Sequence, residues 1–397
     1  MDKRSFSDKT YIYTFILGIL VVLVHSVNFA DSNTILLTMI QSSDFTHTDL
    51  KGLTGASAHI ENFLSNALGQ AAVPGFFMMS GYLFYRTLSN LKDIGRKWKE
   101  RFWSLIIPFG AWNFIYYILY VCLGKAQPGL REIHDAITNY AYNPVFWYVY
   151  QLILLTVLAP IFYALLKNKF ITIVAVVLYV IMVVKGLDIP EINEDAILYY
   201  FAGACLARHS RTIFEQNSKT KICIGALILL LVWALQIFTT VCMQMFLVAP
   251  IDTDVMDPIL YWYYGGDITT ALAAQLKTLP TGILVDILSV GGQVIVNVIR
   301  RLLLCLGLWF VLPDRLPEVK AYMKNGFFLY AVHYPIARIG IFVLEYMGVG
   351  YHGAMDQFIR LYIYLMIPVV CVAASYRLKL ILKKCAPFMW RVLSGGR

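Results

Sequence analysis

Apolar residues in this chain come in long blocks separated by short polar and charged stretches, not in alternating runs. A block of about 20 residues matches the hydrocarbon core of a bilayer, whereas a half-buried strand would alternate with a period of two. Blocks long enough to cross begin at Tyr11 (to Phe29), Ile60 (to Phe84), Phe102 (to Leu123) and Val145 (to Leu166). Others begin near Phe170, Ile197, Ile222, Val296, Phe327 and Phe358. The pattern predicts an all-α polytopic membrane protein of about ten transmembrane helices, in one domain over residues 1–397. The first block runs into "HSVNFADS", a poor cleavage site, so it reads as a retained span.

Charge orients these spans. Alternate connections hold Lys3, Arg4 and Lys9; Arg86 to Arg101; Lys167 and Lys169; Arg208 to Lys221; Arg315 to Lys324; and a basic tail at about 377–397. Most Lys and Arg residues thus fall on one side, which places both termini in the cytoplasm. The opposite connections are polar and mildly acidic. The longest, about 243–295, reads as an outward cap whose "DPILYWYYGGD" carries aromatics suited to an interfacial belt.

Composition sharpens the class. Hydrophobic residues make up 59% of the 397 and charged residues 14%, which excludes a chain of soluble domains. The net charge of +9 resides between apolar blocks, so it signals membrane topology and not nucleic acid. Seven scattered cysteines without a CxxC pair indicate neither a metal site nor a disulfide framework. The two halves show no repeat, which leaves an inverted-repeat transporter without support.

Ionisable groups inside apolar blocks are costly, and each is a candidate site. His25 lies about 21 Å along the first helix from Tyr11, as a helix-bonding group or a general base. His333 precedes Pro335, which frees helical carbonyls. Arg338 would lie near mid-bilayer, as half of a structural pair or as a fixed cation for an anionic substrate group; Glu345 follows on nearly the same face. Arg300 and Arg301 read as a boundary of the eighth block. The run "RTLSNLKDIGRKWKERFW" places Leu91, Ile94, Trp98 and Phe102 at helical spacing, giving an amphipathic helix for anionic lipid or a phosphate group. The stretch "VPGFFMMSGYL", residues 73 to 83, has small and polar residues where plain aliphatics would span more cheaply, so it reads as packing against or around something.

Five segments in order resemble the acyltransferase 3 family of integral membrane acyltransferases. They are the first helix ending in His25; "VPGFFMMSGYL"; "KERFWSLIIPFGAWNFIYY" with Arg101, Pro108 and Trp112; "NPVFWYVYQLILLTVLAPIF" with Trp147, Tyr148 and Pro160; and "NGFFLYAVHYPI" with Phe327, Tyr330 and His333. The resemblance runs from about residue 11 to 377. It implies transfer of an acyl group, commonly acetyl, from cytoplasmic acyl-CoA to a hydroxyl of a sugar in a surface polysaccharide or lipid-linked precursor, with the His matching His25 essential. Two positions depart from the family: Thr14 stands where many members have Arg, and Tyr150–Gln151 where an Arg-Asp pair is frequent.

The resulting expectation is an O-acyltransferase, O-acetyl by preference, in a bacterial inner membrane. Acetyl-CoA docks by Lys97, Lys99 and Arg101 and its thioester reaches upward. Phe76 and Phe77 line an apolar slot, and His25 acts as base or acyl carrier. The oxyanion donor is Arg338, Tyr82 or Ser80, and His333 completes the catalytic set. No metal and no nucleic acid are expected; partners are the bilayer, acyl-CoA and a glycan or lipid-linked acceptor. A permease for a small polar or amino-acid-like solute is the alternative, since related membrane domains accompany some racemases, and an inactive scaffold is a third reading.

Overall fold

In a computed structural model, the structure describes residues 3–26, 57, 60–61, 63–187, 189–216, 218–248, 298–313, 318–349 and 354–396. Nearly all of these residues are helical. No strand occurs among them, only a bridge between Ile189 and Ile192. The helices are α1 (Lys3–His25), α2 (Ala72–Tyr85), α3 (Lys92–Arg101), α4 (Ile107–Cys122), α5 (Leu130–Asn139), α6 (Trp147–Val157), α7 (Ala159–Leu165) and α8 (Lys169–Lys185). They continue with α9 (Glu194–His209), α10 (Arg211–Glu215), α11 (Lys219–Val248), α12 (Arg300–Val311), α13 (Gly326–Tyr346), α14 (Ala354–Cys385) and α15 (Pro387–Ser394).

Among the described residues, four segments are long and apolar enough to cross a membrane: Phe6–His25, Lys92–Cys122, Met323–Leu344 and Ala354–Cys385. The pair Pro144–Val157 and Ala159–Leu165, bent by 60°, adds a fifth if it is one span. On α8, Phe170, Ile173, Val177 and Ile181 form an exposed apolar stripe at helical spacing, as a lipid-facing helix requires. The protein is an integral membrane protein. The blocks expected at Ile60, Phe170, Ile197 and Val296 contain α2, α8, α9 and α12, of 14, 17, 16 and 12 residues. These are helical but shorter than the roughly 20 residues of a simple span. From residue 249 on, the expected outward cap lies outside the described residues.

Local sequence explains many boundaries. Asn168 and Asn193 cap α8 and α9, accepting from Phe170 N at 2.8 Å and Ala196 N at 3.1 Å. Glu194 and Asp195 begin α9 and Arg208 and His209 end it, each matching the helix dipole. Gly186, at φ 58°, closes α8 in the left-handed conformation. Pro74 lies in the first turn of α2, where its missing N–H is harmless. The preceding residues form a π turn (Phe63–Leu68) and a 3-10 turn (Gly69–Ala71), so the block from Ile60 is broken ahead of the proline. Pro108 acts similarly. It cannot donate back to Ser104, and the chain there widens into a π turn over Phe102–Ile106.

The chain divides into two compact units. The first comprises Met1–Ala72, Asn217–Val319 and Pro335–Cys371. In it α11 and α12 approach backbone to backbone: a Cβ on Gly225 would stand 2.7 Å from Val311 N. Phe6 and Tyr13 of α1 meet the Trp309 ring edge-on at 5.8 and 5.4 Å, and the Tyr13 hydroxyl donates to the Cys305 carbonyl at 3.0 Å. Lys9, expected in a cytoplasmic connection, belongs instead to α1 and is 1% exposed, its ammonium 4.7 Å from the Trp309 ring centre. Charge alone misplaced it, because an indole face can hold a desolvated cation.

The second unit comprises Val73–Gln216, Lys320–Tyr334 and Val372–Arg397. Here α2 and α9 cross at Gly81 and Gly203, where a Cβ would overlap the carbonyl oxygens of Tyr200 and Met78 respectively. Aromatic donors tie the other helices together. Trp112 donates to the Leu393 carbonyl at 3.0 Å, Tyr116 to Ala331 at 2.9 Å, Tyr85 to Ala159 at 2.9 Å and Trp98 to Thr156 at 2.7 Å. Each bond satisfies a phenol or indole N–H that apolar surroundings would otherwise strand.

Candidate active site

Of the ten residues singled out from the sequence, His25 and Arg338 belong to the first unit and the other eight to the second. In the second unit, α2 places Phe76, Phe77 and Ser80 on adjoining faces, with Gly81 turned to α9. The short 3-10 turn Pro144–Phe146 leads into α6 and sets Trp147 and Tyr148 opposite them. The Phe77 ring, fully buried, lies 4.6 Å from that of Tyr148 and 6.1 Å from Trp147, and the Phe76 ring is 5.9 Å from Tyr148. These rings build an apolar wall. The Ser80 hydroxyl reaches the Tyr148 hydroxyl at 3.4 Å, giving the wall a polar edge.

From α13, Tyr330 closes the group. Its ring is 5.7 Å from Tyr148 and stacks on Phe146 at 5.6 Å, while its hydroxyl donates to the Val145 carbonyl. His333 is buried, with Nδ1 2.6 Å from the Tyr330 carbonyl oxygen. A carbonyl only accepts, so Nδ1 carries the proton and Nε2 is the basic nitrogen. Phe76, Phe77, Ser80 and His333 are thus gathered through Tyr148 and Tyr330. Neither tyrosine was singled out from the sequence as a site residue, although both lie in quoted motifs.

Tyr82 serves a different group. Two residues beyond Ser80, it points about 200° away round the helix and donates to Glu215 Oε1 at 2.7 Å. Arg86 and Arg211 donate to the same oxygen at 2.6 and 3.0 Å. Burial raises the Glu215 carboxyl, but the hydrogen bonds from Arg86 and Tyr82 and the nearby cations outweigh it and hold the group at about 2. On α3, Lys97 pairs with Glu100 at 3.5 Å, Lys99 is exposed, and the Arg101 guanidinium lies 6.0 Å from the Phe84 ring centre.

In the first unit His25 is the last residue of α1 and is partly exposed. The turn that carries it is clasped by the segment from 61 to 71. The Ser65 hydroxyl donates to the Leu23 carbonyl at 3.0 Å and lies 2.8 Å from the Tyr364 hydroxyl. One turn before each of these residues, Glu61 and Arg360 form a buried ion pair, with Nε 3.0 and 3.1 Å from the two carboxylate oxygens. A Cβ on Gly69 would press on the Val24 side chain, so glycine lets this segment close on the helix end. Sequence reading missed the Glu61–Arg360 pair. Its only signal was one lone charge of each sign at the edge of an apolar block. Arg338, on α13 past Pro335, is exposed; the Glu345 side chain lies outside the described residues.

The two departures from the family pattern have structural occupations. The Thr14 hydroxyl donates within its own helix, to Thr10 at 2.8 Å. Gln151 is buried and clamps the loop before α9, donating to the Glu191 carbonyl at 2.9 Å and accepting from Asn193 N at 3.0 Å; the Tyr150 hydroxyl donates to the Glu191 carboxylate at 3.0 Å. Among the described residues no group of His, Cys, Asp and Glu could hold a metal ion.

No curated protein and no solved structure matches the chain. A family model described as an acyltransferase domain matches residues 15–275. That range takes in His25, the α2 aromatic wall and the α6 tyrosine, and ends before the Phe327–His333 segment. With this match covering more than half of a helical membrane chain, the protein belongs to the acyltransferase 3 family.

Proposed function

We propose that the protein is an O-acyltransferase of a bacterial inner membrane, moving an acyl group, by preference acetyl, from cytoplasmic acyl-CoA to a hydroxyl of a sugar or surface-polysaccharide precursor. The observation that carries this reading is the family match, which includes His25. In the reaction the acyl carbon–sulfur bond breaks and a carbon–oxygen bond forms. The acceptor's hydroxyl proton leaves through His25, and the coenzyme departs as a free thiol. The Phe76–Phe77 wall supplies an apolar surface for the acyl and pantetheine portion. Ser80 is the donor to the developing oxyanion within the second unit, Tyr82 being turned away from the wall with its hydroxyl committed to Glu215, and Arg338 is the candidate in the first. Lys97, Lys99 and Arg101 provide cations for the coenzyme phosphates, Lys99 the most open of the three.

The test is thiol release. Purified protein given acetyl-CoA and a glycan acceptor should liberate coenzyme A thiol and acetylate the acceptor, and His25→Ala should abolish both. Uptake of a small solute into proteoliposomes without thiol release would replace this reading with the permease. No feature of the described residues favours that alternative.

A further inference from the structure

The end of α14 and the helix that follows it are rich in basic residues. No Asp or Glu occurs after Asp356, whereas Arg377, Lys379, Lys383, Lys384 and Arg391 all lie in this final stretch. Two of these cations converge: the ammoniums of Lys379 and Lys383 lie 5.7 and 5.3 Å from the centre of one ring, that of Trp390. Lys379 and Lys383 are one helical turn apart, a spacing at which like charges repel. Neither has a carboxylate partner among the described residues. The indole offsets part of this repulsion by cation–π attraction, and its ring is itself buried, fixed by packing on Phe328 at 5.2 Å. The two lysines are therefore held together by an anchored platform.

Location supplies the second part of the argument. The 32 residues of α14 are about 48 Å long at helical rise, against about 30 Å for a hydrocarbon core. Its last turns, which carry both lysines, therefore reach the headgroup layer when the apolar part of the helix spans. Beside them α15 turns Trp390 and Leu393 inward and leaves Phe388 and Met389 70% and 46% exposed. Exposed apolar side chains flanked by uncompensated cations suit a surface that is anionic at the headgroup and apolar beneath.

We propose that this patch is a binding site for an anionic glycerophospholipid, its phosphate taken between Lys379 and Lys383 over Trp390 and its acyl chains meeting Phe388 and Met389. The inference is independent of the acyl-transfer reading. A soluble phosphate ligand would share the cations but would have no use for the exposed Phe388–Met389 pair.

The full-length protein in detergent, supplied with phosphatidylglycerol or phosphatidylcholine of equal chain length, is examined by native mass spectrometry for retained lipid. Phosphatidylglycerol should be retained in preference. The double variant Lys379→Gln/Lys383→Gln should weaken that retention about 30-fold, or about 2 kcal/mol at 1.4 kcal/mol per tenfold. Lys125→Gln, in the connection after α4, should leave it unchanged. Phe388→Ser/Met389→Ser, which keeps every cation, should also reduce retention. Equal retention of the two lipids, an unaltered Lys379/Lys383 variant, or complete displacement of the lipid by equimolar coenzyme A or inorganic phosphate would overturn the proposal.

Discussion

Neutralising one partner of the Glu61–Arg360 pair should damage the protein more than removing both. The carboxylate is buried and the guanidinium nearly so, at 3.0 Å. At an effective dielectric of about 20, unit charges about 3 Å apart attract by about 5 kcal/mol. Desolvation of both ions offsets much of that gain, so the pair's net contribution is small while a widowed charge is expensive. Glu61→Gln or Arg360→Met alone should therefore cost about 3–5 kcal/mol. The double replacement Glu61→Leu/Arg360→Met should recover most of it. Equilibrium unfolding in mixed dodecyl sulfate and maltoside micelles, followed by circular dichroism, measures all three variants on one scale. One turn away Ser65 grips the Leu23 carbonyl and is itself bonded to the Tyr364 hydroxyl, so the single variants should also loosen the turn that carries His25. Singles within about 1 kcal/mol of the parent, or a double equal to their sum, would refute the reasoning.

Four further outcomes follow from the geometry. Glu215 is held at about 2 against an ordinary 4.5, so its linked stability, about 1–2 kcal/mol once solvent screening of this partly open cluster is discounted, is fully present above about pH 4.5 and is lost as pH falls toward 2; acid titration of Glu215→Gln should show a flatter profile across that window. Gly203→Ala drives a methyl into the Met78 carbonyl and should lower the thermal midpoint, costing about 1–3 kcal/mol. Gly95→Ala on α3, where a Cβ meets open space, should stabilise by up to about 1 kcal/mol. If Ser80 donates to the oxyanion, Ser80→Ala should lower kcat about 10²-fold with KM little changed in the thiol-release assay; a role confined to its bond with Tyr148 would leave kcat unmoved.

Much of the local architecture was written in the chain. Each apolar block, where it is described, holds a helix, Asn168 and Asn193 cap where their side chains should, and Pro74 and Pro108 fall where a helix begins or widens. The motifs around Phe76, Tyr148 and Tyr330 do converge within one unit. What was not legible depends on partners distant in sequence. Glu61 and Arg360 meet across 299 residues, and a single sequence shows each only as a lone charge. Lys9 reads as a surface cation until Trp309 is seen beneath it. Gln151 reads as a gap in the family pattern until its amide is found fastening the loop before α9. Helix length also escaped hydropathy, because a π turn interrupts an apolar block without changing its composition.

Cysteine thiols give this chain a built-in set of reporters. Cys122, Cys223 and Cys385 carry exposed thiols, at the ends of α4 and α14 and the start of α11, while Cys305 and Cys371 are buried. A membrane-impermeant maleimide added to intact cells should tag Cys122, if that end of α4 faces outward, and spare Cys223 and Cys385 until the membrane is opened. The sidedness of three helix ends can thus be mapped on the unaltered protein, without inserting a single foreign residue.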